Sequence, residues 1–423
     1  MIDLKDLRER PEVYRANMKK KGRNEKIVSD VLELDEQWRE VKLKADKLRH
    51  ERNSISEQIN QAKKKKADAS SLIRKAREIP EKLKDLETEE KDLYESLSKR
   101  LLEIPNLMHP QVPVGKSEKD NKVRKVVGAK TKLKFPARTH VELIESLDLG
   151  DFDASAKVAG TGFYYLKKDL ALLNRALINF AVDFMEKKGY EYIEPSLMVN
   201  KRVEMAKGDF KAFENALYKI EGEDLYLIPT AEDAILWMLA DKTIPEEKLP
   251  IKYVGYSHCF RKEAGAYGKY SKGLYRVHEF SKVEMFIYCK PEESDKFHQL
   301  ILKMEVEIYQ ELGLPYRVVE MCTGDLGAMA ARKFDVEVWM PGRDDYGEVT
   351  STSNCTDYQA RNLNIKFRRN TGETEYVHML NGTAIVMTRV PLAILENFQQ
   401  KDGSVKIPEV LQKWMGKDVI KVR

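Results

Sequence analysis

Two long stretches near the start of the chain carry apolar residues at alternating spacings of three and four positions. The first runs from Leu34 to Ala62, and the second runs from Ala76 to Ile104. This spacing is typical of α-helices that bury a continuous seam, and two such helices joined by a short turn can pair antiparallel. The pattern therefore predicts a helical hairpin, a coiled-coil arm with little core beyond its own seam. Pro80, inside the second stretch, is expected to kink or restart that helix.

The heptad pattern stops after Ile104, where the chain changes character. Residues 104–128 are rich in proline, glycine and charge, which is typical of a domain boundary. We therefore divide the chain into an arm domain, residues 1–112, and a second domain, residues 113–423. Early in the second domain, residues 169–188 have a broad apolar face and are expected to form an amphipathic helix, with Asp169 as its N-cap and Gly189 at its end.

Short strand patterns follow one another through the second domain with few helices between them. The predicted strands are 190–193, 225–228, 251–259, 283–289, 316–319, 334–340 and 346–351. This succession favours an antiparallel sheet carrying helices on one side and argues against a doubly wound nucleotide-binding fold. The predicted fold class is therefore α+β, with a helical hairpin arm followed by a domain built on an antiparallel β-sheet flanked by helices.

Composition agrees with this division. A length of 423 residues exceeds what one hydrophobic core usually covers, and 34% charged residues suit long exposed helices. Four scattered cysteines without close pairs favour a reducing compartment. The sequence shows no N-terminal apolar segment and no run of about 18 apolar residues, so we expect a cytoplasmic protein with no membrane partner.

The predicted turn of the hairpin carries a dense cluster of positive charge, which we call the tip cations. They are Lys63, Lys64, Lys65, Lys66, Arg74, Lys75 and Arg77. The ordinary interpretation of such a cluster is a solvated helix end. At the end of a long arm it also suits an extended polyanion, because neutralising phosphates gives affinity without sequence specificity. RNA is the natural candidate, and a dimerisation or scaffold coiled coil is the alternative.

The stretch from Phe260 to Met285 combines arginines, acids and glycines between two strand patterns. Arg261 carries a planar guanidinium that can bind a phosphate or a carboxylate through two hydrogen bonds. The glycines allow a tight turn between the strands. This combination suits a nucleotide held by its phosphates. Taken alone, the stretch is equally compatible with a surface hairpin with solvated charges.

Three motifs in order resemble those of class II aminoacyl-tRNA synthetases, and of seryl-tRNA synthetases in particular. They are the helix followed by Gly189 and Pro195, then Phe260-Arg261-Lys262-Glu263 with Arg276 and Phe280, and then Asn381-Gly382-Thr383 through Arg389 to Leu395-Glu396-Asn397. The triplet Thr230-Ala231-Glu232 and the N-terminal hairpin extend the resemblance over nearly the whole chain. Details such as SNCTDYQARNLN, after Glu348, look most similar to archaeal members.

The resemblance implies a site for ATP and Mg²⁺. Arg261 would bridge the α-phosphate and the substrate carboxylate, Arg389 would hold the γ-phosphate, and Phe280 would stack on adenine. The ATP-binding residues that it implies are Arg261, Lys262, Glu263, Val277, Phe280, Glu348, Val349, Thr350, Ser351 and Arg389. Glu348 and Ser351 would also hold magnesium, which prefers oxygen ligands.

The resemblance also implies a pocket for L-serine. Its residues would be Thr230, Ala231, Glu232, Arg261, Glu284, Asn381 and Thr383. Glu284 would contact the substrate amino group, and Arg261, Glu284 and Arg389 would be the catalytic residues. Judged without the family, Glu284 lies among apolar neighbours in a strand, so its side chain points either out to solvent or in to a cation.

The implied protein is a homodimeric ligase that makes seryl-adenylate and transfers serine to tRNA(Ser), whose long variable arm the hairpin would grip. Charging of tRNA(Sec) is implied where that tRNA exists. Two alternatives remain, namely a ligase of the same core acting on another amino acid or a carrier protein, and a non-catalytic RNA-binding paralogue. Tyr267 and Tyr270 lie in the loop of the second motif and depart from relatives. The resemblance implies that this loop touches the acceptor end of the tRNA, where the tyrosines would either stack on a base or only fill the loop.

Overall fold

The computed structural model describes residues 1–205, 214–263 and 272–421. The chain divides into two compact units, which we call the arm, Met1–Pro105, and the sheet unit, Asn106–Arg423. Within the sheet unit, the backbone amides of Asn106 and His109 donate to the carbonyls of Ala328 and Ala331, at 2.8 Å each. Residues 106–112 therefore begin the sheet unit structurally, and a functional boundary at residue 112 stays a prediction.

The arm is built from helices. They are α1 (Leu4–Glu9), α2 (Pro11–Lys20), α3 (Lys26–Lys64) and α4 (Ser70–Leu101). The two long helices pack on each other along the predicted seam, where Val41, Ala45, Ile55, Leu83 and Leu97 are buried. Their outer faces are polar and exposed. The predicted coiled-coil hairpin is confirmed.

Two details of the arm differ from the predicted pattern. α4 continues through Pro80, so the helix does not restart there, and a kink at Pro80 stays a prediction. Ile79 and Leu83 are buried in the same stretch, and their packing offsets the hydrogen bond that proline cannot donate. In α3, Asp35 is fully buried although the heptad pattern does not include it, and its carboxylate accepts a hydrogen bond of 2.9 Å from Arg39 Nε.

The sheet unit contains the remaining elements. Its helices are α5 (His140–Ser146), α6 (Phe152–Ala159), α7 (Lys168–Lys187), α8 (Lys201–Met205), α9 (Ala231–Leu236), α10 (Ser294–Glu311), α11 (Tyr358–Leu363), α12 (Arg389–Phe398) and α13 (Glu409–Met415). Its strands are β1 (Lys122–Val127), β2 (Gly150–Asp151), β3 (Tyr165–Leu166), β4 (Glu191–Ile193), β5 (Met198–Val199), β6 (Tyr226–Leu227), β7 (Thr243–Pro245), β8 (Ile251–Phe260), β9 (Glu279–Cys289), β10 (Tyr316–Glu320), β11 (Arg332–Met340), β12 (Asp345–Asn354), β13 (Lys366–Arg368), β14 (Thr374–Tyr376), β15 (His378–Val386), β16 (Val405–Lys406) and β17 (Val419–Ile420). Of the helices in the described part of the chain, none is long and apolar enough to cross a membrane.

One eight-stranded sheet organises this unit in the described residues, with the order β1-β10-β11-β12-β15-β9-β8-β4. All its neighbours pair antiparallel except β4, which runs parallel to β8. The predicted α+β class with an antiparallel sheet is confirmed. Each predicted strand is present, whereas β1 and β15 were not predicted.

The two faces of β9 have different surroundings because side chains alternate across a strand. Val283 and Met285 join the main core, to which α7, α10 and α12 also contribute. Phe280, Lys282 and Glu284 share the opposite face. This second face carries Phe280 and Glu284, which the resemblance singled out, and Lys282, which it did not.

α7 differs from the prediction at its start. Its N-cap is Lys167, and Asp169 lies inside the first turn, so the N-cap prediction was wrong. Asp169 is buried and accepts a hydrogen bond of 2.8 Å from Lys417 Nζ, which explains why its carboxylate is not used as a cap. At the other end, Gly189 adopts a positive φ of 78° immediately after the helix, as predicted for a C-terminal glycine.

Candidate active site

A cavity of about 280 Å³ lies against β9, β12 and β15. Its wall is formed by Arg261, Glu263, Tyr275, Arg276, Val277, Phe280, Lys282, Lys333, Glu348, Val349, Thr350, Ser351, Thr383, Val386, Thr388 and Arg389. Arginine and lysine outnumber the acids on this wall. The excess of positive charge beside an aromatic ring suits a ligand that carries phosphates and a base.

Arg261 follows the last residue of β8 and is fixed at the wall by three contacts. Its backbone amide donates to the carbonyl of His278 at 2.9 Å, and its Nε donates to the carbonyl of Pro229 at 3.2 Å. The guanidinium carbon lies 5.1 Å from the centroid of the Phe280 ring. Arg261, predicted to bind phosphate, and Phe280, predicted to stack on adenine, are therefore neighbours in the cavity.

The two residues after Arg261 lie in different surroundings. Glu263 lines the cavity with φ at +48°, and its Oε2 lies 3.7 Å from Arg276 Nε. The Lys262 ammonium lies instead 5.7 Å from the ring centroid of Tyr218, and Lys262 is absent from the wall among the described residues. The loop that follows, with Tyr267 and Tyr270, lies outside the described residues.

Glu348 and Ser351 both reach the cavity because β12 contains a β-bulge. In a regular strand, residues three positions apart point to opposite faces. Here the pairing with β11 advances two residues on β12 for one on β11, which leaves Val349 as the extra residue. The bulge changes the alternation, and both Glu348 and Ser351 line the cavity.

Arg389, the first residue of α12, is held by Glu348 and Tyr275. Its Nη1 donates to the Glu348 carbonyl at 3.0 Å and lies 3.2 Å from the Glu348 carboxylate. Its Nε donates to the Tyr275 carbonyl at 3.4 Å, and its guanidinium lies 4.8 Å from the Tyr275 ring centroid. Burial disfavours the Glu348 charge, but Arg389 and Lys333 outweigh burial and lower the pKa of that carboxyl.

Glu284 is buried beside the cavity in a group that we call the ammonium socket, Thr230, Lys282 and Glu284. Glu284 Oε1 accepts from Lys282 Nζ at 2.6 Å, and Oε2 accepts from the Ala231 amide at 2.8 Å. Thr230 Oγ1 lies 2.9 Å from both carboxylate oxygens and 3.3 Å from Lys282 Nζ. Of the two orientations that the sequence left open for Glu284, the structure has the inward one, toward a cation.

The socket forms where α9 meets the sheet. Thr230 caps α9 and its Oγ1 accepts from the Glu232 amide. Gly255 on β8 pairs with Glu284, and a Cβ at Gly255 would lie 2.4 Å from Ile235 Cδ1 on α9. The missing side chain at Gly255 therefore lets α9 approach the strand that carries Glu284.

Glu232, Asn381 and Thr383 lie next to this socket. Glu232 Oε1 accepts from Asn381 Nδ2 at 3.0 Å and from Gln359 Nε2 at 2.5 Å. Asn381 and Thr383 alternate onto one face of β15, and Thr383 pairs with Glu284 on β9. The residues predicted to bind ATP and those predicted to bind serine are therefore contiguous. Lys282 and Thr383 connect them and also line the cavity.

Most of the predicted site residues therefore come together. On the cavity wall are Arg261, Glu263, Val277, Phe280, Glu348, Val349, Thr350, Ser351, Thr383 and Arg389. Joined to one another or to the wall by hydrogen bonds are Thr230, Ala231, Glu232, Glu284 and Asn381. Sequence reasoning missed Lys282 and Tyr275. Lys282 had a signal, since it lies two residues before Glu284 in the same strand and so shares its face.

The tip cations lie around the turn between α3 and α4 of the arm. All seven are exposed. Within the described residues of the arm, no ion pair involves any of them. They therefore present concentrated charge to solvent.

Two family models match the chain. Residues 1–108 match the seryl-tRNA synthetase N-terminal domain, and residues 213–398 match the tRNA synthetase class II core domain (G, H, P, S and T). A serine-tRNA ligase of Pyrococcus horikoshii is 45% identical over 446 aligned residues, which cover 100% of this chain and 98% of the relative. The chain belongs to the seryl-tRNA synthetases.

Other seryl-tRNA synthetases agree in sequence and fold. A serine-tRNA ligase of Dictyoglomus thermophilum is 48% identical over 100% of this chain and 99% of the relative. The crystal structure of the Pyrococcus horikoshii synthetase complexed with ATP superposes with a TM-score of 0.93 at 44% identity, covering 100% of both chains. The cytoplasmic serine-tRNA ligase of Naegleria fowleri in complex with AMP gives a TM-score of 0.86 at 33% identity, over 98% of this chain and 96% of that one.

Proposed function

We propose that this protein activates L-serine with ATP to form seryl-adenylate at the cavity of the sheet unit, and then transfers serine to tRNA(Ser). The ammonium socket carries the assignment of the site. In it, Glu284 Oε1 and Thr230 Oγ1 hold the Lys282 ammonium at 2.6 Å and 3.3 Å. A substrate amine has the same charge and donor groups, so it can take the same two oxygens.

The serine ammonium would replace Lys282 in the socket. The displaced lysine would remain on the cavity wall, where its charge can face the substrate carboxylate or a phosphate. Thr383 pairs with Glu284, and Asn381 is held by Glu232, so polar groups are in place for the serine hydroxyl. Alanine would leave these buried groups without a partner, whereas threonine would be excluded by its extra methyl group.

The ATP end of the site follows from the cavity wall. Arg261, fixed by its bond to the Pro229 carbonyl, would bridge the serine carboxylate and the α-phosphate. Arg389 would hold the γ-phosphate, and Phe280 would stack on adenine. Glu263 and Val277 would contact the base. Lys262 lies away from the described wall, so its part in ATP binding would need a movement of its side chain.

Magnesium fits the chemistry of one wall. Glu348 and Ser351 both line the cavity and carry side-chain oxygens, which hard divalent cations prefer as ligands. We assign these two residues as the protein ligands of Mg²⁺. When bound, the ion would neutralise phosphate charge.

The reaction needs positioning more than proton transfer. An oxygen of the serine carboxylate attacks the α-phosphorus, the bond to the bridging oxygen breaks, and pyrophosphate leaves with the electron pair. Arg261 and Arg389 would hold the two ends in line and offset the developing negative charge. In the second step a hydroxyl of the terminal adenosine of tRNA attacks the seryl carbonyl, and AMP leaves.

The tip cations would grip the long variable arm of tRNA(Ser). Their exposure and the absence of ion pairs to them within the described arm suit contacts with phosphates. Such recognition depends on shape and charge, so tRNA(Sec) with a similar variable arm would be charged as well.

We also propose a homodimer with the first motif at its interface. The helix of that motif, α7, has an apolar inner face. Its Leu172 is nevertheless 40% exposed, and Tyr165, just before the helix, is 45% exposed. A second copy of the chain would cover these side chains. Sedimentation would show a dimer, and a monomer at micromolar concentration would contradict this assignment.

The first test is exchange of labelled pyrophosphate into ATP with each of the twenty amino acids separately. We expect exchange with serine to exceed that with alanine or threonine by about 100-fold or more, because alanine lacks the hydroxyl and threonine carries an extra methyl group. Exchange with a different amino acid would identify another ligase of the same core. Exchange with none would identify a non-catalytic RNA-binding paralogue.

A further inference from the structure

Glu396, on α12, is fully buried and accepts hydrogen bonds from three N–H groups. Its Oε1 accepts from the His140 backbone amide at 3.0 Å and from His140 Nδ1 at 2.9 Å. Its Oε2 accepts from the Gly342 amide at 2.9 Å. Glu396 follows Arg389 by two helical turns, so both residues lie on the same side of α12.

His140 extends this chain of hydrogen bonds to the residue beside Tyr275. The Leu274 amide donates to His140 Nε2 at 3.2 Å, so the imidazole is neutral and its Nδ1 carries the proton that Glu396 accepts. Gly273 makes the approach possible. Its φ is +120°, and a Cβ there would lie 2.4 Å from His140 Nε2.

At each of its ends, this chain of hydrogen bonds leads to an arginine that contacts Tyr275. Leu274 immediately precedes Tyr275, whose carbonyl accepts from Arg389 and whose ring centroid lies 4.8 Å from the Arg389 guanidinium. Gly342 immediately precedes Arg343, whose guanidinium lies 4.1 Å from the same centroid. This buried chain of hydrogen bonds thus fixes the backbone immediately before Tyr275 and immediately before Arg343.

We propose that His140 and Glu396 are positioning residues for the ATP end of the site. They act through Leu274 and Gly342 to fix the Tyr275 ring and carbonyl, and thereby the orientation of Arg389. This inference rests on the proposed function, because that function assigns Arg389 to the triphosphate. Neither His140 nor Glu396 lines the described cavity, so neither touches substrate in this arrangement.

This chain of hydrogen bonds requires the carboxylate of Glu396 and not merely a side chain of the same size. Glu396 receives donors at both oxygens, two from His140 and one from Gly342. In Glu396→Gln one of these oxygens becomes an NH₂ group, and either orientation of the amide sets a donor against a donor. A purely space-filling role would tolerate this substitution, whereas the proposed role does not.

The test measures pyrophosphate exchange with Glu396→Gln while ATP and serine are varied separately. We expect the KM for ATP to rise about tenfold or more, with the KM for serine changed less than about twofold, because one strained buried contact costs on the order of a tenfold change. His140→Asn should likewise raise the KM for ATP much more than the KM for serine. The double variant should be no worse than the single ones, since both break the same chain.

Tyr275 gives a second route if the buried variants do not fold. Tyr275→Leu keeps the carbonyl but removes the ring, and it should raise the KM for ATP more than the KM for serine. Glu320→Gln is the matched control. Glu320 is also a fully buried carboxylate, accepts hydrogen bonds from Arg124 and Arg332, and does not line the described cavity, so the KM for ATP should not change.

Three results would overturn the proposal. They are an unchanged KM for ATP in Glu396→Gln, an equal rise of both KM values, and full additivity in the double variant. Failure of the wild type to exchange with serine would instead contradict the proposed function, so the two failures can be told apart.

Discussion

Positive charge is arranged differently in the arm and in the cavity of the sheet unit. The tip cations of the arm are exposed, and no ion pair within the described arm involves them. In the cavity, each main cation has fixed acceptors. Lys282 bonds to Glu284, Arg261 bonds to the Pro229 carbonyl, and Arg389 bonds to Glu348 and Tyr275.

We propose that this difference corresponds to two kinds of phosphate recognition. Flexible exposed lysines neutralise a polyanion through long-range attraction, which salt screens and which tolerates small displacements. Guanidinium groups held by fixed acceptors are oriented before the ligand arrives, so they can act on a transition state. The arm should therefore respond to the amount of charge, and the cavity should respond to its geometry.

The largest effect is expected when cavity geometry changes at constant charge. Arg389→Lys keeps the positive charge but loses the planar fork and its contact with the Tyr275 ring. The kcat/KM for ATP in pyrophosphate exchange should fall by about 10²- to 10³-fold. Arg317→Lys is the matched control, because Arg317 also contacts an acid, Glu337, and a tyrosine ring, Tyr346, away from the cavity wall. Equal activity of the two variants would contradict the geometric role.

A smaller effect is expected when charge is removed from the tip. Replacing Lys63, Lys64, Lys65 and Lys66 by Gln should raise the KM for tRNA about 100-fold at moderate salt and flatten its salt dependence, because fewer counterions are released. Four exposed lysines elsewhere in the arm, Lys19, Lys20, Lys91 and Lys99, provide a control with the same charge change. If both sets weakened tRNA equally, the net charge of the arm and not its tip would be responsible.

The smallest effect concerns stability under acid. Burial lowers the pKa of His298, on α10, to about 4, so the folded state disfavours the proton that the unfolded chain binds. The stabilisation is complete above the unfolded pKa of about 6.5 and is lost as the pH falls toward 4, about 2 kcal/mol of it by pH 5. Urea unfolding of His298→Gln should therefore lose less stability between pH 7 and pH 5 than the wild type does.

The exposed His50 of the arm is the counterpart for this measurement. His50→Gln controls for the same chemical change in the other unit. A wild-type pH dependence that His298→Gln leaves intact would contradict the assignment to the buried imidazole.

Local patterns in the sequence predicted the arm and most strands because their physical cause is local. Alternation of three and four positions determines the α3 and α4 seam, and period-two runs determine β8 and β11. β1 was missed because its valines do not alternate regularly with its cations and most of its side chains are exposed at the sheet edge. Asp35 was missed because its burial depends on Arg39 and on tertiary packing.

The site was only partly predictable for the same reason. The resemblance gave Arg261, Glu284 and Arg389, and the structure brings them to one region. The β12 bulge at Val349 was not predictable, because strict alternation would place Glu348 and Ser351 on opposite faces. The chain through His140 and Glu396 joins residues 256 positions apart, so no local pattern reports it.

The central claim is that the tip cations serve tRNA binding and the cavity serves adenylation. Its most direct test is a paired assay on the variant with Lys63 to Lys66 replaced by Gln. Serine-dependent pyrophosphate exchange and serylation of tRNA(Ser) are measured on the same preparation. We expect exchange at the wild-type rate, together with a loss of serylation at low tRNA concentration that high tRNA concentration restores. Loss of exchange, or serylation at the wild-type rate, would contradict it.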